Sequence, residues 1–215
     1  MIKAIIFDLD GTLLNTLDDL ADSVNHILTS HSMKTRTVDE IRSFIGNGIP
    51  TLIARSVPAD TASETLSICV DEMQSYYKAH ADIKTKPYDG INELLSQLRQ
   101  RNIASAVVTN KAEESAKILC DRKFGDIFSF IIGDNGKDRL KPAPDNVFRV
   151  LKLLGAEKNE VLYVGDSDVD MITAANAGLR SVGVSWGFRD ADVLRKNGAD
   201  YIIHSPEELL NLLIL

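Results

Sequence analysis

No apolar run in the sequence approaches the roughly 18 residues that read as a membrane-spanning helix, so no membrane partner is expected. Cysteine is scarce. Cys69 and Cys120 are the only two, and neither has a Cys-x-x-Cys partner or metal-ligand spacing. Both fall in segments of helical apolar periodicity and read as buried thiols. His26, His31, His80 and His204 are scattered without ligand spacing. Positive charge is also in deficit: 24 Lys and Arg stand against 31 Asp and Glu, a net charge of -7, which argues against a surface that tracks a nucleic-acid backbone. There is no lipid-attachment signal, internal repeat or low-complexity stretch. The segment Met1 to Leu14 is apolar enough to resemble an export signal, but Asp8 and Asp10 interrupt it and no small-residue cleavage site follows. It reads as a strand, and a cytoplasmic location is expected for lack of any address.

What is present is an alternation. Lys3-Ala4-Ile5-Ile6-Phe7 is a short continuous apolar run ending abruptly in Asp8, the pattern of a parallel strand covered on both faces. Similar runs recur at Ala104 to Val108, Phe130 to Ile132, Val161 to Val164, Val182 to Val184 and Tyr201 to Ile203, separated mostly by helical periodicity. The expected fold is therefore α/β, a parallel-sheet Rossmann-like core. From Asn15 to about Ile83 the spacing is helical throughout, which predicts an inserted α-helical cap domain over 16–82 and a core formed by 1–15 and 83–215. Leu17, Leu20, Ala21, Val24, Ile27 and Leu28 share one helical face, with Thr16 expected to cap it through Asp19. Thr37 with Glu40, and Thr61 with Glu64, have capping-box spacing. Gly46-Asn47-Gly48 breaks the second helix, and Ser205-Pro206-Glu207-Glu208 is expected to open a last amphipathic helix.

Four sites carry chemistry. Asp8-Leu9-Asp10-Gly11-Thr12 stands where the first strand ends, and ligands of open α/β sheets lie beyond the carboxyl ends of strands. Two carboxylates so spaced can share a divalent cation or divide the roles of nucleophile and general acid; they can equally terminate a strand and begin a turn. Thr109 and Asn110 end a second apolar strand with a hydroxyl and an amide able to bond phosphoryl oxygens, or simply to cap a helix. Lys141 precedes a helix start, where an ammonium could meet a dianion or lie solvated. Gly165-Asp166-Ser167-Asp168-Val169-Asp170 ends a further strand with oxygen ligands suited to a hard cation, or with an ordinary acidic helix N-terminus.

Taken together, Asp8-x-Asp10-x-Thr12, Thr109, Lys141 and Gly165-Asp166-x-x-x-Asp170 resemble, in order, the four motifs of the haloacid dehalogenase-like hydrolase superfamily. The resemblance covers essentially the whole chain, since the helical insert is similar to one subgroup's small cap. It implies a phosphatase in which Asp8 attacks phosphorus and Asp10 serves as acid and then base. It further implies that Mg2+ is held by Asp8, the Asp10 backbone carbonyl and Asp166 with support from Asp170, and that Thr109 and Lys141 bind the phosphoryl oxygens. Dehalogenases of the superfamily lack an acidic residue at the Asp10 position, which disfavours carbon-halogen cleavage. A sugar-phosphate mutase, a pyrophosphatase or a non-catalytic phosphate-binding module remains an alternative on the same fold. Ile45-Gly46-Asn47-Gly48 and Val184-Ser185-Trp186-Gly187-Phe188 resemble the phosphoglycolate phosphatase group, whereas Asn15 departs from the aspartate common there. The partner this implies is a small phosphorylated metabolite, best guessed as phosphoglycolate. Amides at Gly46, Asn47 and Gly48 would meet its carboxylate, with Arg55 or Lys111 as cationic partners and the cap making the choice. Trp186 is expected to pack beside the site. Nothing in the sequence sets an oligomeric state.

Overall fold

The computed structural model describes residues 1–214 and divides into two compact units, residues 1–14 with the chain from Pro87 onward, and Asn15–Lys86. The chain begins with β1 (Ala4–Phe7), whose four residues are all buried, and reaches β2 (Leu14–Asn15) after one tight turn. The helical unit follows as α1 (Leu17–Ser30), α2 (Val38–Phe44), α3 (Gly48–Ser56) and α4 (Ser63–His80). The chain returns through β3 (Lys86–Pro87), which pairs with β2 as a two-stranded sheet.

Inside the helical unit the α1 face reads as expected, with Leu17, Leu20, Ala21, Val24, Ile27 and Leu28 all buried. Thr37 and Glu40 form the reciprocal capping box of α2. The other two expected caps are absent. Thr16 makes no side-chain cap bond, because Asp19 is turned to a different task. Its buried carboxylate accepts from the amides of Ile83 (3.1 Å), Lys84 (2.9 Å) and Thr85 (2.9 Å) and from the Thr85 hydroxyl (2.7 Å). These donors belong to the returning chain, and four bonds to a charged acceptor outweigh one local cap. Thr61 does not cap α4 either. The helix starts one residue beyond the expected register, with Ala62 at the N-cap, so the Thr61–Glu64 spacing no longer spans N-cap to N3.

The second unit continues with α5 (Ile91–Gln100), β4 (Ala104–Ala112), α6 (Glu113–Phe124), β5 (Phe130–Asp134), α7 (Asp145–Leu154), β6 (Val161–Gly165), α8 (Asp168–Ala177), β7 (Arg180–Val184), α9 (Ala191–Lys196) and β8 (Tyr201–Ile203). Six strands form one parallel sheet in the order β5-β4-β1-β6-β7-β8. Strand alternation divides its side chains between two layers. Ile5, Phe7, Val107, Leu162 and Val164 pack with Leu94, Leu98 and Leu119 of α5 and α6. Ala4, Ile6, Val108 and Tyr163 pack with Val147, Val150, Ala174 and Ala177 of α7 and α8. Burial on both faces is why the strands appear as uninterrupted apolar runs. The closing segment Pro206–Leu212 is a 3-10 helix rather than the expected amphipathic α-helix, closed by i to i+3 bonds such as Glu208 N to Ser205 O (3.2 Å). The segment buries Pro206 and Leu209. Among the described residues no helix is long and apolar enough to cross a membrane.

Candidate active site

β1 lies at the centre of the sheet, and the chain winds outward from it in both directions, so the crevice beyond its carboxyl end is the topological switch point. Asp8 occupies that end, its amide donating to Val164 O (2.8 Å) of β6. The backbone then reverses through Gly11, whose φ of +90° suits glycine, and Leu14 N bonds Leu9 O at 3.0 Å. A Cβ on Gly11 would overlap the Asp166 carboxylate, and one on Gly187 would strike the Asp166 Cβ and Gly11 O. The two glycines thus let backbone close on Asp166 from both sides.

Asp166 Oδ1 accepts from the Thr12 hydroxyl (3.0 Å) and Oδ2 from the Phe188 amide (2.7 Å). Trp186 Nε1 donates to Thr12 O at 3.0 Å, fastening the β7 loop to the first turn. Lys141, with a side chain only 3% exposed, places Nζ 2.7 Å from Asp8 Oδ1 as an ion pair and 2.7 Å from Asp170 Oδ1 as a hydrogen bond. Asp170 is saturated. Its second donor on Oδ1 is the Tyr163 hydroxyl (3.3 Å), while Oδ2 takes the Ser167 amide (3.1 Å) and hydroxyl (2.6 Å) within the α8 capping box. Four donors match the roughly four lone-pair sites of a carboxylate.

Carboxylate oxygens of Asp8, Asp166 and Asp170 come within 4.8 Å of one another, all buried. Burial, followed by the charge of Asp170, pushes Asp8 up to about 7 against the opposing pull of Lys141. Asp166 is raised well above the carboxylate range by burial and by the charges of Asp170 and Asp8. Lys141 is raised despite burial, because Asp170 and Asp8 outweigh its desolvation. Three aspartates around one ammonium leave an excess of negative charge away from water, and an all-oxygen donor set suits a hard divalent cation. Asp8 and Asp166 retain acceptor capacity for such an ion, while Asp170 has spent its own on Lys141, Tyr163 and Ser167.

The other residues singled out in the sequence are distributed as follows. Thr109 is buried at the end of the apolar part of β4, its hydroxyl accepting from Lys111 N (3.2 Å). Asn110, expected to offer its amide to phosphoryl oxygens, also clamps the Lys141 backbone, Nδ2 donating to Lys141 O (3.1 Å) and Oδ1 accepting from Lys141 N (2.8 Å). The Asp10 carboxylate is not part of the acidic cluster; Lys111 Nζ sits 3.0 and 3.3 Å from its two oxygens. Gly46 and Gly48 lie in the helical unit with φ of +128° and +80°, flanking Asn47. Arg55, an expected cationic partner, donates to Phe44 O (2.9 Å) and so satisfies the end of α2. Sequence reasoning gives no role to Tyr163, Ser167 or the Phe188 amide. Ser167 and Phe188 stand inside motifs already singled out, and the Ser167-x-x-Asp170 spacing is a visible capping signal, whereas nothing local marks Tyr163.

A family model described as haloacid dehalogenase-like hydrolase matches residues 5–184. Phosphoglycolate phosphatase of Neisseria meningitidis serogroup A / serotype 4A (strain DSM 15465 / Z2491) is 33% identical over 216 residues, covering 97% of this chain and 92% of that protein. Phosphoglycolate phosphatase of Pseudomonas fluorescens (strain Pf0-1) is 31% identical over 215 residues, covering 97% and 78% respectively. A crystal structure from Lactobacillus delbrueckii subsp. bulgaricus, provisionally described as a phosphoglycolate phosphatase, superposes with a TM-score of 0.93 at 32% identity and 98% coverage of both chains.

Proposed function

The chain belongs to the haloacid dehalogenase-like hydrolases and is a phosphatase, and from that premise we propose that it hydrolyses a small phosphate monoester, phosphoglycolate before others, through an aspartyl-phosphate on Asp8. The observation that carries this reading is the buried Asp8 carboxylate at the sheet's switch point, with the Lys141 ammonium 2.7 Å away. In this reading residues 1–14 and the chain from Pro87 onward form the catalytic core, and Asn15–Lys86 is its cap.

One Asp8 oxygen attacks phosphorus as the bond to the leaving oxygen breaks, and Asp10 delivers a proton to that oxygen. Water then gives a proton to Asp10 and attacks the same phosphorus, releasing inorganic phosphate and restoring the Asp8 carboxylate. Lys141, steered by Asp170 on one side and by the Asn110 clamp on its backbone, holds Asp8 in line and meets the phosphoryl charge. The Thr109 hydroxyl serves the same oxygens. Asp8, Asp166 and the Asp10 carbonyl would hold magnesium, with Asp170 supporting them through its hold on Lys141. Magnesium, when bound, supplies charge neutralisation between the carboxylates and the dianionic ester.

The test is release of inorganic phosphate from phosphoglycolate with magnesium, with calcium and with chelator, for the parent and Asp8→Asn. Turnover is expected with magnesium alone, and loss of at least a thousandfold in a variant whose circular dichroism is unchanged. Activity within about tenfold of the parent in Asp8→Asn would sink the nucleophile assignment. Full turnover in chelator would sink the metal.

A further inference from the structure

We infer that Lys111 selects substrates whose leaving alcohol bears a carboxylate next to the ester oxygen, an inference that rests on the phosphatase reading above. Lysine is seldom buried, yet the Lys111 side chain is 5% exposed. Lys111 stands in the stretch of β4 where the pairing with β5 shifts register, between Val108 and Ala112. Its ammonium meets both oxygens of Asp10, at 3.0 and 3.3 Å.

Asp10 is the group that reaches the leaving oxygen, at a hydrogen-bond distance of about 2.8 Å during proton transfer. A cation bonded to the same carboxylate therefore lies roughly 3–6 Å from that oxygen. In a 2-phospho-oxy acid the carboxyl carbon is one methylene beyond the ester oxygen, so its negative charge falls within that reach. A flexible ammonium with three donors can serve two carboxylates, that of Asp10 and that of the substrate. Lys111 thus gives the α/β unit its own means of reading the leaving group. An alcohol of the same size without the carboxylate gives it nothing to bind.

The experiment compares phosphoglycolate with ethyl phosphate, which matches it in carbon count and lacks the carboxylate, and with p-nitrophenyl phosphate as a general probe. In Lys111→Met the ratio of kcat/KM for phosphoglycolate over ethyl phosphate should fall about 10- to 100-fold, the loss expected for one charge-assisted contact. Lys111→Gln should behave alike, and Lys111→Arg should keep the ratio within about tenfold of the parent. Equal losses on both esters would overturn the inference, leaving Lys111 as a residue that merely positions Asp10. If the neutral variants do not fold, the parent decides alone: no preference for phosphoglycolate over ethyl phosphate overturns the inference. A parent that turns over none of the three esters would instead reject the phosphatase reading beneath it.

Discussion

Replacing the proposed nucleophile should make the metal-free protein more stable. Asp8 titrates at about 7 in the folded chain against 3.8 as its ordinary value, from burial and the neighbouring Asp170 charge. An acid raised on folding binds its proton more tightly in the native state, so its stabilising contribution is present below about pH 4 and is lost as pH climbs through 7. The shift of about three units corresponds to ~4 kcal/mol at 1.36 kcal/mol per unit. Asp8→Asn, an uncharged isostere, escapes this loss. In chelator at pH 8 the variant should exceed the parent by up to ~4 kcal/mol, or ~8–16 °C in Tm for a chain of this size. At pH 5, where the native Asp8 is mostly protonated, the advantage should shrink to under about 2 kcal/mol. Saturating magnesium should narrow it at pH 8 as well, since only the parent keeps the full donor set. Urea denaturation of both proteins at the two pH values, with and without magnesium, measures each quantity. A variant no more stable than the parent at pH 8 in chelator, or an advantage undiminished at pH 5, would refute the reasoning.

Two further outcomes follow from buried groups outside the acidic cluster. Asp19→Ala strands the buried Thr85 amide and hydroxyl, while the part-buried Ile83 and Lys84 amides can turn to water, and at about 1–3 kcal/mol for each of the two buried donors the helical unit should lose roughly 2–6 kcal/mol. Hydrogen exchange at Ile83, Lys84 and Thr85 should quicken accordingly, and a loss below about 1 kcal/mol would refute it. Burial and the Asp10 charge push the Cys120 thiol up to about 12, and burial with Glu72 raises Cys69. A thiol-disulfide reagent at pH 8 should therefore label neither in the native protein and both in denaturant; rapid native labelling would contradict the burial.

What was legible in the sequence is what local pattern encodes. The strands are visible because both faces are covered, and the capping box of Thr37 and Glu40 because it is written within four residues. The position of Asp170 could be read from its spacing, but its saturation by Lys141, Tyr163 and Ser167 could not, since the first donor lies 29 residues upstream in a separate loop. Distance along the chain explains the other misses. Asp19 looked like a helix cap because its partners are 64 to 66 residues away. The Asn110 clamp on the Lys141 backbone spans 31 residues and has no local signal. Lys111 and Asp10 are separated by 101 residues, so their pairing has no local signal.

The Asp19 clasp also bears on how such a chain could have arisen. It ties the first turn of α1 to the segment leading out of the helical unit, so that unit holds its own two ends together. The flanking chain does likewise, Tyr88 N bonding Leu13 O at 3.1 Å. Each unit thus closes on itself, with the two ends of the helical unit held side by side. An insertion with that property is a graft: a different module with equally close ends could take the place of residues 15–86 while β1 kept its register with β4 and β6. One parallel sheet could in this way carry many different inserts, each bringing new chemistry to the same host.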